Sequence, residues 1–213
     1  MIRGTQGYAE QANELVERYE AIDFTHKHQT ILHLLPAIPA RAIDIGAGTG
    51  ADAAWLAQMG YQVIAVEPTN ELRIRGMALH RSPTIEWISD SLPRLEQVVR
   101  RQTKFDLVML TAVWMHLDEE ERRFAMPHVA SLLGLNGLLA ITLRHGLVPE
   151  GRLMFEVSAK ETVALAQTCG LQVVLNVHAP STQTVNREAG ITWSRLAFKW
   201  SPGAHQERGP NDA

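Results

Sequence analysis

RAIDIGAGTG, at residues 41–50, joins an apolar segment to three closely spaced glycines. The apolar residues Ile43 and Ile45 are typical of a buried strand. Glycine lets the backbone approach a ligand closely, and a helix that follows directs its free N–H groups toward that ligand. The stretch therefore predicts a cofactor-binding loop between a strand and a helix.

Two interpretations of this loop are open from its residues alone. Gly46, Gly48 and Ala51 fit the GxGxxG/A spacing of a dinucleotide-binding loop. Asp44, two residues before the first glycine, favours a different ligand, because a carboxylate there gains nothing from facing a phosphate. An anion at this position suits a ligand that carries an ammonium group.

Composition limits the class of protein. A chain of 213 residues with 46% hydrophobic residues can build one domain with a sizeable core. The formal charge of −3 argues against a general nucleic-acid binder, and the basic group Arg73, Arg75, His80 and Arg81 is interpreted as a solvated helix face. The lack of an apolar leader or a membrane-length apolar run, together with the single Cys169, predicts a cytoplasmic protein.

Strands and helices alternate along most of the chain. Two helices are expected before the first strand, and helices are expected near 51–59, 72–80, 118–133 and 158–169. Strands are expected at 41–45, 61–67, 84–89, 105–110, 137–143, 171–178 and 193–200, the last two joined by the loop 179–190 with no helix. This order predicts an α/β, Rossmann-like three-layer sandwich with a mostly parallel seven-stranded sheet and an antiparallel last strand, preceded by N-terminal helices.

DIGAGTG at 44–50, AVEP at 65–68 and the closing strand pair resemble the class I S-adenosylmethionine-dependent methyltransferase superfamily. The resemblance covers roughly 41–200 and is that of a small, single-domain, bacterial-type member. It implies that the N-terminal helices cover the site as a helical cap at 1–40, followed by a methyltransferase domain at 41–200 and a disordered tail at 201–213. The implied cofactor is S-adenosylmethionine, with S-adenosylhomocysteine as product and no metal, and the implied activity is methyl transfer of the EC 2.1.1 type.

The resemblance also implies which residues hold the cofactor. Asp44 would stabilise the amino group, and the glycine loop would lie against the amino-acid portion. Glu67 would accept the two ribose hydroxyls, and Asp90 would accept from the adenine amino group, although an aspartate there can also shape a turn. The predicted cofactor residues are Asp44, Gly46, Ala47, Gly48, Gly50, Glu67, Pro68, Asp90, Ser91 and Thr111.

Candidate residues for chemistry follow the fourth and fifth strands. His116 is the candidate general base, because imidazole titrates near neutral pH; the alternative is that it caps the helix that begins at Asp118. An arginine fork can bind a substrate carboxylate or phosphate. The predicted substrate-binding residues are Trp114, Arg144, His145 and, from the leading helices, Tyr8.

Histidine spacing and the residues after the fourth strand limit the possible metals and acceptors. His26, His28 and His33 lie too irregularly to predict a metal site. The fourth strand is followed by TAVW at 111–114 instead of an NPPY-like tetrapeptide, which favours a small-molecule acceptor, makes nucleic acid unlikely and leaves a monomer or homodimer open. Use of the same cofactor for cyclisation or aminocarboxypropyl transfer, a non-catalytic cofactor-binding module and a dehydrogenase remain alternatives.

Overall fold

The computed structural model describes residues 2–203, and within them the chain folds around one seven-stranded sheet. The strand order is β3-β2-β1-β4-β5-β7-β6, in which β7 runs antiparallel to both of its neighbours and the other pairs are parallel. The strands are β1 (Ala40–Ile45), β2 (Tyr61–Val66), β3 (Ile85–Ile88), β4 (Phe105–Leu110), β5 (Leu133–His145), β6 (Leu171–Pro180) and β7 (Thr192–Trp200).

Helices cover both faces of the sheet, so the predicted three-layer α/β fold is confirmed. On one face α5, α6 and α7 bury a core that includes Phe105 and Phe198, and on the other α2 and α3 pack over Leu107 and Met109. The helices are α1 (Ala12–Glu20), α2 (Phe24–His28), α3 (Ala51–Gln58), α4 (Asn70–Leu79), α5 (Glu96–Arg100), α6 (Glu119–Ser131), α7 (Ala159–Thr168) and α8 (Thr184–Glu188), with 3-10 turns at Leu32–Leu34 and Trp114–His116.

The segment before β1 lies across the edge of the sheet where the parallel strands end. Helix α1 packs on α4 through Ala12, Leu15 and Leu72. Helix α2 begins at the N-cap Asp23, whose side chain accepts from the backbone N–H of His26. Where two helices were expected before the first strand, the structure has α1, α2 and a 3-10 turn.

Several expected boundaries were wrong. Helix α6 ends at Ser131, and β5 begins at Leu133 instead of Gly137. The strand begins earlier because Leu133 pairs with Phe105 of β4. Gly134 lies close to β4 as well, since a Cβ there would be 3.2 Å from the carbonyl oxygen of Phe105. The loop 179–190 contains the short helix α8, and α5 was not expected.

Two further expectations concern the C-terminal tail and membrane-spanning helices. From residue 204 onward the predicted tail lies outside the described residues. Between residues 2 and 203, no helix combines the length and the apolar character needed to cross a membrane.

Candidate active site

A cavity of about 320 Å³ opens at the carboxyl ends of the parallel strands, beneath the N-terminal segment and α1. This volume falls at the lower end of small-molecule sites, which span roughly 300 to 1,000 Å³. Most of the predicted site residues line it: Tyr8, Asp44, Gly46, Ala47, Gly48, Glu67, Pro68, Asp90, Ser91, Thr111, His116 and Arg144.

Charges divide the cavity into two halves along the strand order. The acidic half, at the ends of β1, β2 and β3 and the start of α3, contains Asp44, Asp52, Glu67 and Asp90. The basic half, centred on β5 and β7, contains Arg18, Arg144, Arg152 and Arg195. Thr111, at the end of β4, lies between them. The acidic half therefore suits a positively charged ligand group, and the basic half suits a negatively charged one.

The glycine loop is folded tightly onto β2. The backbone N–H groups of Gly46 and Ala47 both donate to the carbonyl of Val66, at 2.8 and 2.9 Å. Gly46 has a φ of +75°, and a side chain there would place its Cβ 2.4 Å from Val113. Gly48 has a φ of +60°, also in the left-handed region. Both positions therefore require glycine for this close approach.

Glu67 ends β2 and holds the loop in place. One carboxylate oxygen accepts from the backbone N–H of Gly48 at 2.8 Å, and the other accepts from that of Thr69 at 2.7 Å. Burial raises the pKa of Glu67, and these two hydrogen bonds oppose the rise. Each oxygen keeps a further lone pair, so the carboxylate can also accept from two neighbouring hydroxyls of a ligand.

Asp44 is a buried carboxylate at the end of β1, only 2% exposed. Within residues 2–203 its side chain forms neither a hydrogen bond nor an ion pair, although it lines the cavity. Burial, reinforced by the nearby Asp52 and opposed by Lys27, raises the pKa of Asp44 well above its usual range. A buried anion without a partner is costly, so a ligand ammonium group fits this position.

Asp52 ties α2 to the first turn of α3. Its two oxygens contact Lys27 Nζ at 2.5 Å and His28 Nε2 at 2.9 Å. Although burial favours the neutral acid, these two neighbours outweigh it and lower the pKa of Asp52. Across residues 2–203 the structure contains no group of three or more His, Cys, Asp or Glu arranged to hold a metal ion.

Asp90 has a structural task as well as a place in the cavity wall. One oxygen accepts from the backbone N–H of Ser91 at 2.8 Å. The other accepts from Gln97 and Val98, at 2.8 and 3.0 Å, in the first turn of α5. The turn-shaping role considered from the sequence is therefore present.

Tyr8 and His116 form a hydrogen-bonded pair at the cavity wall. His116 Nδ1 lies 2.7 Å from the carbonyl oxygen of Leu153, which only accepts, so Nδ1 carries the proton. In the neutral ring Nε2 then accepts from the Tyr8 hydroxyl at 2.9 Å. Burial lowers the pKa of His116 and raises that of Tyr8. Helix α6 is capped by Asp118 instead of His116, through a reciprocal capping box with Glu121.

The N-terminal segment is fastened over this pair. The guanidinium of Arg152 lies 4.0 Å from the centre of the Tyr8 ring and donates to Gln11 Oε1 at 2.7 Å. Arg3 pairs with Asp118 and with Glu121, the second at 3.2 Å. These contacts hold the Tyr8 hydroxyl at the cavity.

Three predicted site residues are not brought to the cavity formed by residues 2–203. His145 follows Arg144 on β5, so its side chain points to the opposite face, where it contacts Ser194 Oγ at 2.8 Å. Trp114 is fully buried in the core beneath the 3-10 turn. A Cβ at Gly50 would lie 2.5 Å from the Trp87 ring, so this glycine serves packing.

Arg195 is the main site residue that the sequence analysis missed. It lies on β7 opposite Thr142 and shares the cavity with Arg144, yet it is only 8% exposed. Strand alternation in TWSRLAFKW would place it on one face, but arginine is so commonly exposed that the sequence gives no sign of its burial.

Comparison with known proteins finds a match to one protein family over part of the chain, and curated relatives of similar sequence. Residues 42–137 match the family described as "Methyltransferase domain". An uncharacterized methyltransferase of Mycobacterium tuberculosis is 30% identical over 127 residues, which is 59% of this chain and 49% of the relative. One from Alkaliphilus oremlandii is 28% identical over 135 residues, 60% and 55% of the two chains. The chain thus spans about half the length of these curated relatives.

Solved structures share the fold across nearly the whole chain. A TehB-like methyltransferase from Corynebacterium glutamicum has a TM-score of 0.68 at 19% identity, covering 90% of this chain and 99% of that one. The 1,6-didemethyltoxoflavin-N1-methyltransferase of Burkholderia thailandensis, solved with bound 1,6-didemethyltoxoflavin and S-adenosylhomocysteine, has a TM-score of 0.71 at 18% identity. The match covers 92% of this chain and 86% of that one. At these identities the likeness establishes the fold.

Proposed function

We propose that the chain is a class I S-adenosylmethionine-dependent methyltransferase, and that it transfers a methyl group from S-adenosylmethionine to a small-molecule acceptor. The match of residues 42–137 to the family described as "Methyltransferase domain" supports this assignment. The observation that carries the proposal is the buried, unpartnered Asp44 carboxylate beside a glycine loop. A small-molecule acceptor is supported by the size of the cavity and by the 1,6-didemethyltoxoflavin bound to the structural neighbour from Burkholderia thailandensis.

The acidic half fits this cofactor better than it fits a dinucleotide. Asp44 would hold the amino group of the methionine portion, and the loop at Gly46 and Gly48 would lie against that portion. Glu67 would accept the ribose hydroxyls, and Asp90 with Ser91 would border the adenine. A pyrophosphate would instead bring negative charge toward Asp44 and Glu67, which burial already makes costly to ionise.

When bound, S-adenosylmethionine supplies a methyl group that is already activated by its sulfonium. The protein then has to orient the acceptor in line with that methyl and exclude water, and positioning alone can contribute roughly 7 to 11 kcal/mol of the barrier. The N-terminal segment closes one side of the cavity through Tyr8, Gln11 and Arg152. We place the acceptor in the basic half, beside this segment.

A proton on the acceptor would leave through Tyr8 and His116. The Tyr8 oxygen can accept a hydrogen bond from the acceptor while its own proton points to His116 Nε2. Because burial lowers the pKa of His116, the ring is neutral at pH 7 and can take that proton. Its Nδ1 proton stays with the Leu153 carbonyl, which fixes the orientation of the ring.

Calorimetry tests the cofactor assignment. We expect S-adenosylmethionine and S-adenosylhomocysteine to bind the folded protein with one-to-one stoichiometry, and NAD not to bind. Binding of NAD without either methyl-donor ligand would overturn the proposal in favour of a dehydrogenase.

Product analysis tests the chemistry. The protein is incubated with S-adenosylmethionine and a panel of small acceptors, and the products are separated by mass. Release of S-adenosylhomocysteine with a methylated acceptor supports methyl transfer. Release of methylthioadenosine would show cyclisation or aminocarboxypropyl transfer instead, and tight binding without turnover over the whole panel would show a non-catalytic module.

The remaining expectations belong to the same proposal. We propose that residues 1–40 act as the helical cap of a catalytic domain at 41–200, in a cytoplasmic protein that is a monomer or homodimer.

A further inference from the structure

Arg195 is a buried cation without a partner. Its side chain lines the cavity with 8% exposure, and within residues 2–203 its guanidinium forms no hydrogen bond or ion pair. A guanidinium has five N–H donors and keeps its charge at any physiological pH. Desolvating such a group without an anion is costly, so the free protein carries a cation whose natural complement is missing.

Arg144 lies beside Arg195 on the same face of the sheet. The antiparallel register pairs Thr142 with Arg195 and Arg144 with Trp193, which makes the two arginines diagonal neighbours. Diagonal positions are about 7–8 Å apart, within reach of two long side chains that converge on one group. One N–H of Arg144 donates to the carbonyl of Leu147 at 2.7 Å, and its other donors are not engaged within the described residues.

The charged side chains that define the basic half are all positive. Arg18 and Arg152 line the same half, and none of the four arginines pairs with a carboxylate within residues 2–203. Burial, together with the nearby Arg18, lowers the pKa of Arg144. Like charges gathered in a cavity create a positive potential that attracts anions.

The carboxylate of the methionine portion does not explain this cluster. In an amino acid the amino and carboxyl groups are attached to the same carbon, so a ligand whose amino group is held at Asp44 keeps its carboxylate close by. Asp44 is on β1 and Arg195 on β7, with β4 and β5 between them. Three strand spacings separate the two backbones by about 14 Å, and this separation favours an anion on a second molecule as the partner of Arg195.

We infer that Arg195 and Arg144 form an oxyanion-binding subsite, and that the acceptor is an anionic small molecule whose carboxylate or phosphate they hold. The inference rests on the proposed function only in calling that molecule the acceptor. Arg195 supplies the buried fork and Arg144 the second fork, while Arg18 and Arg152 strengthen the potential. The anion would anchor the acceptor near Tyr8 and His116.

Anion titrations test this subsite. The protein saturated with S-adenosylhomocysteine, and separately the unliganded protein, is titrated by calorimetry with benzoate, phenyl phosphate and the neutral isostere benzamide. We expect at least one of the two anions to bind and benzamide to bind about tenfold more weakly or not at all. A preference between benzoate and phenyl phosphate identifies the acceptor group as carboxylate or phosphate.

Substitutions locate the binding. Arg195→Met keeps an unbranched apolar stem and removes the guanidinium, and we expect it to weaken binding of the preferred anion by about tenfold or more. Arg195→Lys keeps the charge without the fork and should recover part of the affinity. Arg100→Met, at an exposed arginine on α5, is the matched control and should bind as the wild type does. Thermal melts establish that each variant is folded.

The outcomes separate the inference from the proposed function. Failure of both anions to bind, equal binding of benzamide, or unchanged anion binding in Arg195→Met would overturn the subsite. A fall in S-adenosylhomocysteine affinity in Arg195→Met, with anion binding retained, would assign the arginine to the cofactor and also overturn it. If S-adenosylhomocysteine does not bind the wild type, the proposed function fails, while the titrations of the unliganded protein still decide on the subsite.

Discussion

The acidic and basic halves of the cavity are assembled in different ways. The acidic half comes from residues 44–90, where strand ends and the loops after them follow one another along the chain. The basic half brings together Arg18, Arg144, Arg152 and Arg195, which the sheet order and the N-terminal segment gather from the whole chain. The first is local in sequence and the second depends on tertiary structure.

This difference separates a site formed by a short motif from one formed by tertiary structure. The glycine loop and Glu67 are held by backbone hydrogen bonds, so their geometry follows from a short motif. The arginines are held by strand register and packing, which a motif does not encode. Under our proposals, the acidic half determines the donor and the basic half selects the acceptor.

The largest effect is expected from His116→Gln. We propose His116 as the general base for the acceptor, so its loss should lower turnover by about 10² to 10⁴-fold and leave the affinity for S-adenosylhomocysteine unchanged. In the wild type, turnover should fall only as pH drops below the ordinary histidine range, since burial lowers the pKa of His116. Rate profiles from about pH 4 to pH 8, which include the ordinary histidine range and the region below it, check both points.

The exposed His33→Gln is the matched control for that prediction and should behave as the wild type does. Parallel loss of turnover and cofactor affinity in His116→Gln would show that His116 supports the whole cavity, and would break the distinction between the halves.

The next effect concerns Gly46→Ala. A Cβ there would lie 2.4 Å from Val113, so the loop must shift, and we expect S-adenosylhomocysteine to bind about tenfold to a hundredfold more weakly. Gly151→Ala is the control, because Gly151 has the same φ of +75° with nothing within 4 Å of a Cβ. Both variants lose about 1–2 kcal/mol of unfolding free energy through backbone strain. Equal cofactor affinity in the two would contradict the close approach of the loop.

Asp44→Asn is expected to have a smaller effect, which lowers cofactor affinity but raises the stability of the unliganded protein. Cofactor affinity should fall about tenfold, while the unliganded protein melts a few degrees higher, because a buried charge is replaced by a neutral amide. Burial raises the pKa of the Asp44 carboxyl. The wild-type protein therefore gains stability from this group at a pH below the ordinary carboxyl range. It loses that stability as the pH rises through the raised pKa of the folded state. Melting curves across pH check this, and a variant that melts lower than the wild type would contradict it.

The sequence predicted the acidic half better than the basic half, for physical reasons. Asp44, Gly46 and Glu67 lie next to strand ends whose apolar pattern is visible in the sequence, and the structure places all three at the cavity. His145 was placed at the site because it follows the fifth predicted strand. In the structure it is still part of β5, one residue beyond Arg144, and one residue along a strand reverses the face.

Tertiary contacts account for the other differences. Trp114 follows β4 as expected, yet the 3-10 turn directs it into the core. The burial of Arg195 results from packing under the N-terminal segment and from register with Thr142, neither of which is visible in a local pattern. The pairing of Tyr8 with His116 joins residues 108 positions apart.

Measuring two variants with two ligands tests the division of the cavity most directly. Affinities for S-adenosylhomocysteine and for the preferred anion, benzoate or phenyl phosphate, are measured by calorimetry on the wild type, Asp44→Asn and Arg195→Met. The account predicts that Asp44→Asn weakens only the cofactor product and that Arg195→Met weakens only the anion, each by about tenfold. Parallel loss of both ligands in either folded variant would contradict it, because the two halves would then form a single site.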